Sequence, residues 1–155
     1  MDNKYDSLKL KNQLCYPIYL CSKEIIRRYT PFLNEINLTY TQYIVMMYFW
    51  EKGNSNIKEI SNTLLIDSST LTPLLKKLES KGYITRERSP RDERNLKITI
   101  TEEGMSLRDK ALTVPDQISK CLNLTEEEAI SLYKLTYKLL DNIERNENDE
   151  NSWSK

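Results

Sequence analysis

The stretch "DSSTLTPLLKKLESKGYITRERSPRDERNLKITI" runs from Asp67 to Ile100 and changes its period halfway. In its first half Leu71, Leu74, Leu75 and Leu78 fall at i, i+3, i+4 and i+7, one face of a helix. Gly82 supplies the stop. Pro73 lacks the N–H that a helix interior needs, so an irregular first turn is expected, with Asp67 or Ser69 as the cap. In the second half Leu96, Ile98 and Ile100 alternate with Lys97 and Thr99, the pattern of a half-buried strand. Tyr83–Arg88 is its expected partner, and "SPRDERN" between them is a charged turn.

Upstream, "NIKEISNTLLI" (residues 56–66) places Ile57, Ile60 and Leu64 on one face of a short helix. Before it, "LTYTQYIVMMYFWEKG" has clear ends. Thr39 and Gln42 form a capping box, and Gly53 follows the last turn. Residues 8–29 predict a long first helix with two adjacent stripes, Leu14/Ile18/Cys21/Ile25 and Cys15/Tyr19/Ser22/Ile26/Tyr29. An apolar face that wide is expected to pack on its own domain and on a second subunit. Pro17 should kink this helix or loosen its first turns. Downstream, Thr101 caps a helix whose Glu102 and Glu103 suit the N-terminal dipole, and Pro115 should end or bend it. Thr125 and Glu128 form another capping box. They open a last amphipathic helix with Ala129, Leu132, Tyr133, Thr136, Leu139, Leu140 and Ile143 along one side. The acidic residues after Arg145 are read as a frayed tail.

The predicted fold is mainly α with a small β-hairpin: two helices joined by a tight turn, then a charged hairpin, hence a winged helix-turn-helix with a helical dimerisation region. Such a unit lays its second helix in the major groove of DNA and its hairpin near a minor groove. The polar face of that helix offers Ser68, Ser69, Thr70, Thr72 and Lys76. Short hydroxyls allow close approach but little bidentate base reading, so DNA shape should supply part of the specificity. Lys76, Lys77 and Lys81 are expected on phosphates, which position without specifying. Arg91 and Arg94 are expected in the minor groove, with Asp92 holding an arginine in place.

Bulk properties agree with this reading. Formal net charge is zero, but residues 76–97 carry eight bases against four acids, and residues 126–150 three against eight. A neutral chain can thus present a local positive field to phosphate. Hydrophobic residues at 39% and charged ones at 30% predict a folded chain of one domain. The complete lack of histidine excludes Ser-His-Asp hydrolysis and His-based metal sites. No signal peptide and no apolar run of membrane-spanning length is apparent, so a cytoplasmic protein without membrane contact is expected. Cys15, Cys21 and Cys121 do not have zinc or C-x-x-C spacing, and no metal or cofactor is expected.

Cys15 is either a small buried hydrophobe or a functional thiol. Polar Lys11 and Gln13 lie near it, and its stripe carries Tyr19 and Tyr29, whose hydroxyls can hydrogen-bond a thiolate. A reducing compartment removes the disulfide explanation.

"QLCYPIY" (13–19), "LTYTQY" (38–43), "IDSSTLTPLLKKLE" (66–79) and "RDERNLKITITEEG" (91–104) resemble the MarR family of winged-helix regulators. Within it they resemble the thiol-based branch that senses organic hydroperoxides (OhrR/SarZ/MgrA-like), over roughly residues 8 to 145. The resemblance implies that Cys15 is the peroxide-reactive cysteine. It also implies that Tyr29 and Tyr40 hydrogen-bond that cysteine from the other subunit, and that Tyr19 lies near the pocket. Ser68, Thr70, Asp92 and Arg94 match the DNA-reading helix and wing. Cys121 stands about where two-cysteine members keep a resolving thiol; its other reading is a filler cysteine. Cys21, six residues from Cys15, is read as packing.

The implied organisation is a single MarR-type domain over 1–155. Residues 8–30 and 101–146 would form the dimerisation helices, 39–100 the winged helix-turn-helix and 147–155 a flexible acidic tail. The implied function is that of a homodimeric repressor, not an enzyme. It would bind a near-palindromic double-stranded operator and release it when an organic hydroperoxide oxidises Cys15. The alternative within the same family is a regulator that responds to a small phenolic or other ligand held between the dimer arm and the DNA-binding core. A thiol peroxidase using Cys15 would leave the hairpin and the reading helix unexplained.

Overall fold

The computed structural model describes the backbone of residues 4–89 and 92–152, and the side chains of residues 4–87 and 96–143. The chain divides into two compact units, residues 1–118 and 119–155.

The first unit begins with two short 3-10 turns, Asp6–Leu8 and Leu10–Asn12, before α1 (Cys15–Glu35). The expected start at residue 8 is therefore corrected to Cys15. Pro17 has no N–H to give the Gln13 carbonyl, so the helix does not extend backward through it. As the third residue of α1 it sits where that N–H would go unpaired anyway. The expected end near Tyr29 is also too early. The helix passes through Pro31 to Glu35, because Leu33 is buried and Phe32 packs against the core. Burial there outweighs the backbone bond that Pro31 forfeits.

In α2 (Tyr40–Lys52) the capping box forms as expected. The Gln42 N–H donates to Thr39 Oγ1 at 3.4 Å, and the Thr39 N–H donates to Gln42 Oε1 at 3.1 Å. Gly53 closes the helix at φ +75°, its N–H on the Phe49 carbonyl at 2.8 Å. A strand that the sequence did not announce follows, β1 (Asn54–Asn56). It is three polar residues long, and it exists because the edge of β3 offers it a partner.

Next come α3 (Ile57–Leu64) and α4 (Ser68–Ser80). Leu65 between them takes a left-handed conformation, φ 51° and ψ 42°. Asp67 is the N-cap of α4, and its backbone carbonyl accepts from the Thr70 and Leu71 N–H groups at 2.9 Å each. Its side chain makes no cap bond. Pro73 is accommodated inside a continuous α4, with Thr72 Oγ1 donating to the Ser68 carbonyl at 2.7 Å.

The hairpin is β2 (Ile84–Ser89) and β3 (Asp92–Ile100), joined in an antiparallel sheet of order β1-β3-β2. Ile84 faces Ile100 and Arg86 faces Ile98, with an irregularity between Arg88 and Ser89. Then come α5 (Glu102–Ala111) and α6 (Val114–Leu122). Pro115 does not end or bend α5. It is the second residue of α6, again a place where its missing N–H is harmless. Leu71, Leu74, Leu75 and Leu78 are all buried, and they share one core with Phe49, Met46, Ile60, Ile84 and Ile98.

The second unit contains the end of α6 and α7 (Glu126–Ser152). Its capping box is present: the Thr125 N–H donates to Glu128 Oε2 at 2.9 Å, and the Glu128 N–H to Thr125 Oγ1 at 3.3 Å. The backbone of residues 147–152, assigned above to a tail, continues α7. Every described side chain of α7 is exposed, Leu132, Tyr133, Leu139, Leu140 and Ile143 included.

Candidate nucleic-acid interface and thiol site

Helix α4 turns its leucines inward, which leaves Ser68, Ser69, Thr70, Lys76 and Lys77 exposed on its outer side. Thr72 is half-buried and its hydroxyl proton is committed to the Ser68 carbonyl, so it can offer a partner only acceptor capacity. Arg91 lies outside the described residues, as do the side chains of Asp92 and Arg94. Lys81 has a second set of partners inside the fold. Its ammonium, expected on phosphate, donates to the Asn37 carbonyl at 2.6 Å and to Gln42 Oε1 at 3.0 Å. Burial, and secondarily Lys77, hold its pKa below the ordinary lysine value.

Contacts that sequence reasoning did not anticipate hold this surface in place. Arg86 of β2 donates to Glu79 Oε2 of α4 from Nε at 2.9 Å and Nη2 at 2.6 Å, tying hairpin to helix. At the foot of the hairpin, Thr101 Oγ1 donates to the Gly82 carbonyl at 2.6 Å and accepts from the Gly104 N–H at 3.0 Å. The Trp50 indole donates to the Gly104 carbonyl at 2.8 Å. The signal for these was present in "TEEG", whose threonine and glycine are spaced for a cap. At α3, Ser55 Oγ donates to Glu59 Oε2 at 2.7 Å, which leaves Tyr48 to donate its hydroxyl to Ser55 Oγ at 2.7 Å. That bond from Ser55, with those from Asn56, holds the Glu59 carboxyl below the usual range. A cleft of about 440 Å³, lined by Asn56, Ile57, Lys58, Ser61, Asn62, Ser68 and Leu96, opens beside the start of α4. It adds Lys58 and Asn62 to the polar surface; they lie on the face of α3 opposite Ile60.

The thiol site is built differently. Cys15 is the first residue of α1 and is exposed, so the buried-hydrophobe reading is excluded for the single chain. Tyr19, one turn on, is also exposed. Cys21, read above as packing, is exposed in the single chain, as is Cys121 in the second unit. Tyr29 and Tyr40 come together at the edge of the core, with ring centroids 4.8 Å apart, and Tyr43 lies 6.0 Å from Tyr29. Burial pushes all three phenols above the ordinary tyrosine value; at Tyr29 the neighbouring Tyr40 and Tyr43 add to it. They therefore stay protonated near neutrality and keep an O–H to donate. Tyr29 follows Cys15 by fourteen residues on one unbroken helix, a rise of about 21 Å. The thiol and this phenol thus cannot meet within one chain.

Among the described residues, no group of histidine, cysteine, aspartate and glutamate side chains is placed to hold a metal ion. Nor is any described helix long and apolar enough to cross a membrane.

Comparison with known proteins gives these features a context. The model of the SarA/Rot transcriptional regulators matches residues 27–111. The organic hydroperoxide resistance transcriptional regulator of Bacillus subtilis is 40% identical over 143 residues, 92% of this chain and 97% of that protein. AbfR of Staphylococcus epidermidis has been solved bound to DNA in reduced form, with TM-score 0.73 and 33% identity over 91% of this chain and 99% of that one. Its overoxidized form, also bound to DNA, gives 0.72 and 34% over the same shares. The MarR C80S mutant of Escherichia coli complexed with operator DNA shares the fold, with TM-score 0.76 and 23% identity over 90% and 99% of the two chains.

Proposed function

The chain belongs to the SarA/Rot family of transcriptional regulators, of the MarR winged-helix type, and we propose that it is a dimeric repressor that senses organic hydroperoxides through Cys15. It is a DNA-binding regulator, not an enzyme. The observation that carries the finer reading is the placement of an exposed Cys15 some 21 Å along α1 from the Tyr29–Tyr40 pair.

That separation becomes useful in a dimer. Up to Ile26, α1 and its N-cap leave Leu14, Ile18, Tyr19 and Ile26 exposed, and α7 leaves its own apolar side chains exposed. Burying each would contribute about 1.5–3 kcal/mol, and a second copy is the economical cover for a face this long. If two α1 helices run antiparallel across a twofold axis, the midpoint between Cys15 and Tyr29 falls at Ser22. Each thiol then lies opposite Tyr29 and Tyr40 of the other copy, whose protonated phenols donate to the thiolate.

The chemistry follows. The Cys15 thiolate attacks the outer oxygen of ROOH, the O–O bond breaks and the RO− leaving group takes a proton from water to depart as ROH, so sulfur is oxidised to sulfenic acid and the peroxide reduced. The sulfenic acid then condenses with a second thiol, Cys121 of the other copy or a small thiol, and water is lost. AbfR occurs on DNA even in its overoxidized form. This supports a reading in which release in this chain follows disulfide formation, which moves backbone, rather than the addition of oxygen alone. The tyrosine bonds break, α1 shifts, and the α4 helices of the dimer leave the spacing of about one DNA turn. A bias of ~1.4 kcal/mol already lowers affinity tenfold.

Cross-linking tests the arrangement. In a background with Cys15, Cys21 and Cys121 replaced by serine, Ser22→Cys should form an interchain disulfide in a dimer. A protein that sediments as a monomer, or a dimer without that cross-link, would contradict the arrangement.

A further inference from the structure

We infer that Lys81 is a positioning residue for DNA binding: it pins the last turn of α4 to the corner between α1 and α2, and so sets the tilt of α4 on the duplex. The inference rests on the reading of α4 as the DNA-contacting helix.

Lys81 is the C-cap of α4, and its ammonium bridges two acceptors far away in sequence. One is the carbonyl of Asn37 at 2.6 Å; Asn37 has φ 54°, a left-handed conformation that asparagine tolerates. The other is Oε1 of Gln42 at 3.0 Å, a buried side chain that also closes the α2 capping box. Two residues earlier, Glu79 holds Arg86 of β2. The end of α4 is thus tied to the α1–α2 corner by Lys81 and to the hairpin by Glu79. Elsewhere α4 is held by leucine contacts, which resist separation but not sliding or tilting; charged hydrogen bonds are directional.

Leverage makes the pin matter. A helix of 13 residues is about 20 Å long. A tilt of about 5° about the pinned end moves Ser68 and Ser69 by roughly 1.7 Å, more than a hydrogen bond tolerates. The neighbours Lys76 and Lys77 have exposed side chains, whereas two of the three N–H groups of the Lys81 ammonium are already committed within the fold. Charge counting alone groups the three together; geometry separates them.

The test is equilibrium binding of the reduced, full-length protein to DNA from its own upstream region across a salt series. Lys77→Met should lower affinity and reduce the slope of log K against log salt by about 1, as loss of a phosphate contact does. Lys81→Met should lower affinity about tenfold with the slope unchanged. In the DNA-free protein it should also speed amide exchange at residues 37–43 and 81–84. A slope that falls by about 1 for Lys81→Met would make Lys81 a phosphate contact and overturn the inference. Wild-type affinity, or unchanged exchange at those amides, would overturn it too. If Lys77→Met and Lys76→Met both bind like wild type, the reading of α4 fails and the pin falls with it. Should Lys81→Met not fold, Lys81→Gln carries the same comparisons.

Discussion

Replacing Gly104 by alanine tests the joint at the foot of the hairpin. By helix propensity the change is favourable, since Gly104 lies in α5 and alanine gains as much as ~1 kcal/mol over glycine there. The packing says the opposite. A Cβ on Gly104 would sit 2.1 Å from the Tyr83 carbonyl oxygen and 2.9 Å from Ile100 Cγ1. The first neighbour is backbone, so it cannot swing away as a side chain would. Making room costs about 2 kcal/mol of overpacking strain. The movement also disturbs the Trp50 bond to the Gly104 carbonyl and the Gly104 bond to Thr101. Weakening both costs about 2 kcal/mol more, at roughly 1 each. The net expectation is a destabilisation of about 3 kcal/mol, with a melting temperature lower by roughly 6–12 °C. Thermal or urea unfolding reads this directly. Operator affinity should fall as well, because the joint fixes β2 and β3 against α2. A Gly104→Ala protein as stable as wild type, or more so, would refute the reasoning, since propensity would then outweigh the close approach.

Leu65→Gly should stabilise by about 0.5–1 kcal/mol, because Leu65 is largely exposed and held at φ 51°, a conformation costing non-glycine residues about 1–2 kcal/mol; glycine's extra freedom in the unfolded chain offsets part of the gain. A lower melting temperature for that variant would show that the Leu65 side chain packs on something. Glu79→Gln should cost about 1 kcal/mol, a figure discounted for partial exposure of the pair, and should weaken DNA binding without changing the salt slope. On the acid side, Glu59 and Glu128 are held below their ordinary value by hydrogen bonds, at Glu59 first from Ser55 and at Glu128 first from the Thr125 backbone. Their contribution is complete above pH 4.5 and lost as pH falls through the lowered folded values. Amide exchange should therefore show α3 and α7 fraying first at their N-terminal turns in acid, and uniform loss of structure would argue against it. Tyr29, Tyr40 and Tyr43 are raised, so their contribution is complete below pH 10 and lost above it. Phenolate absorbance should show a late-titrating set absent in a Tyr29→Phe/Tyr40→Phe/Tyr43→Phe protein.

Much of the scaffold could be read from local chemistry. The boxes at Thr39–Gln42 and Thr125–Glu128 and the cap at Thr101 all form, because a side chain reaching three residues along needs no tertiary context. The leucine face of α4 and the alternation of Leu96, Ile98 and Ile100 were equally readable, since periodicity reports the buried side directly. What escaped was set by distant partners. Strand β1 has no apolar alternation of its own and owes its form to β3. Pro31 and Pro115 look like breakers until one knows that Leu33 is buried and that a second helix starts at Val114. Lys81 and Lys77 are equivalent in composition, yet a corner some forty residues upstream claims one ammonium. At the thiol site the residues were legible as types, but a single chain holds Cys15 and Tyr29 apart.

The central claim is that Cys15 is the sensor. The most direct measurement is binding to DNA from the protein's own upstream region at fixed salt, by reduced wild type and by Cys15→Ser, with and without an organic hydroperoxide. The account predicts that both proteins bind when reduced, that hydroperoxide releases wild type by tenfold or more, and that Cys15→Ser stays bound. Release of both proteins, or of neither, would contradict it and turn attention to a regulator governed by a bound small ligand.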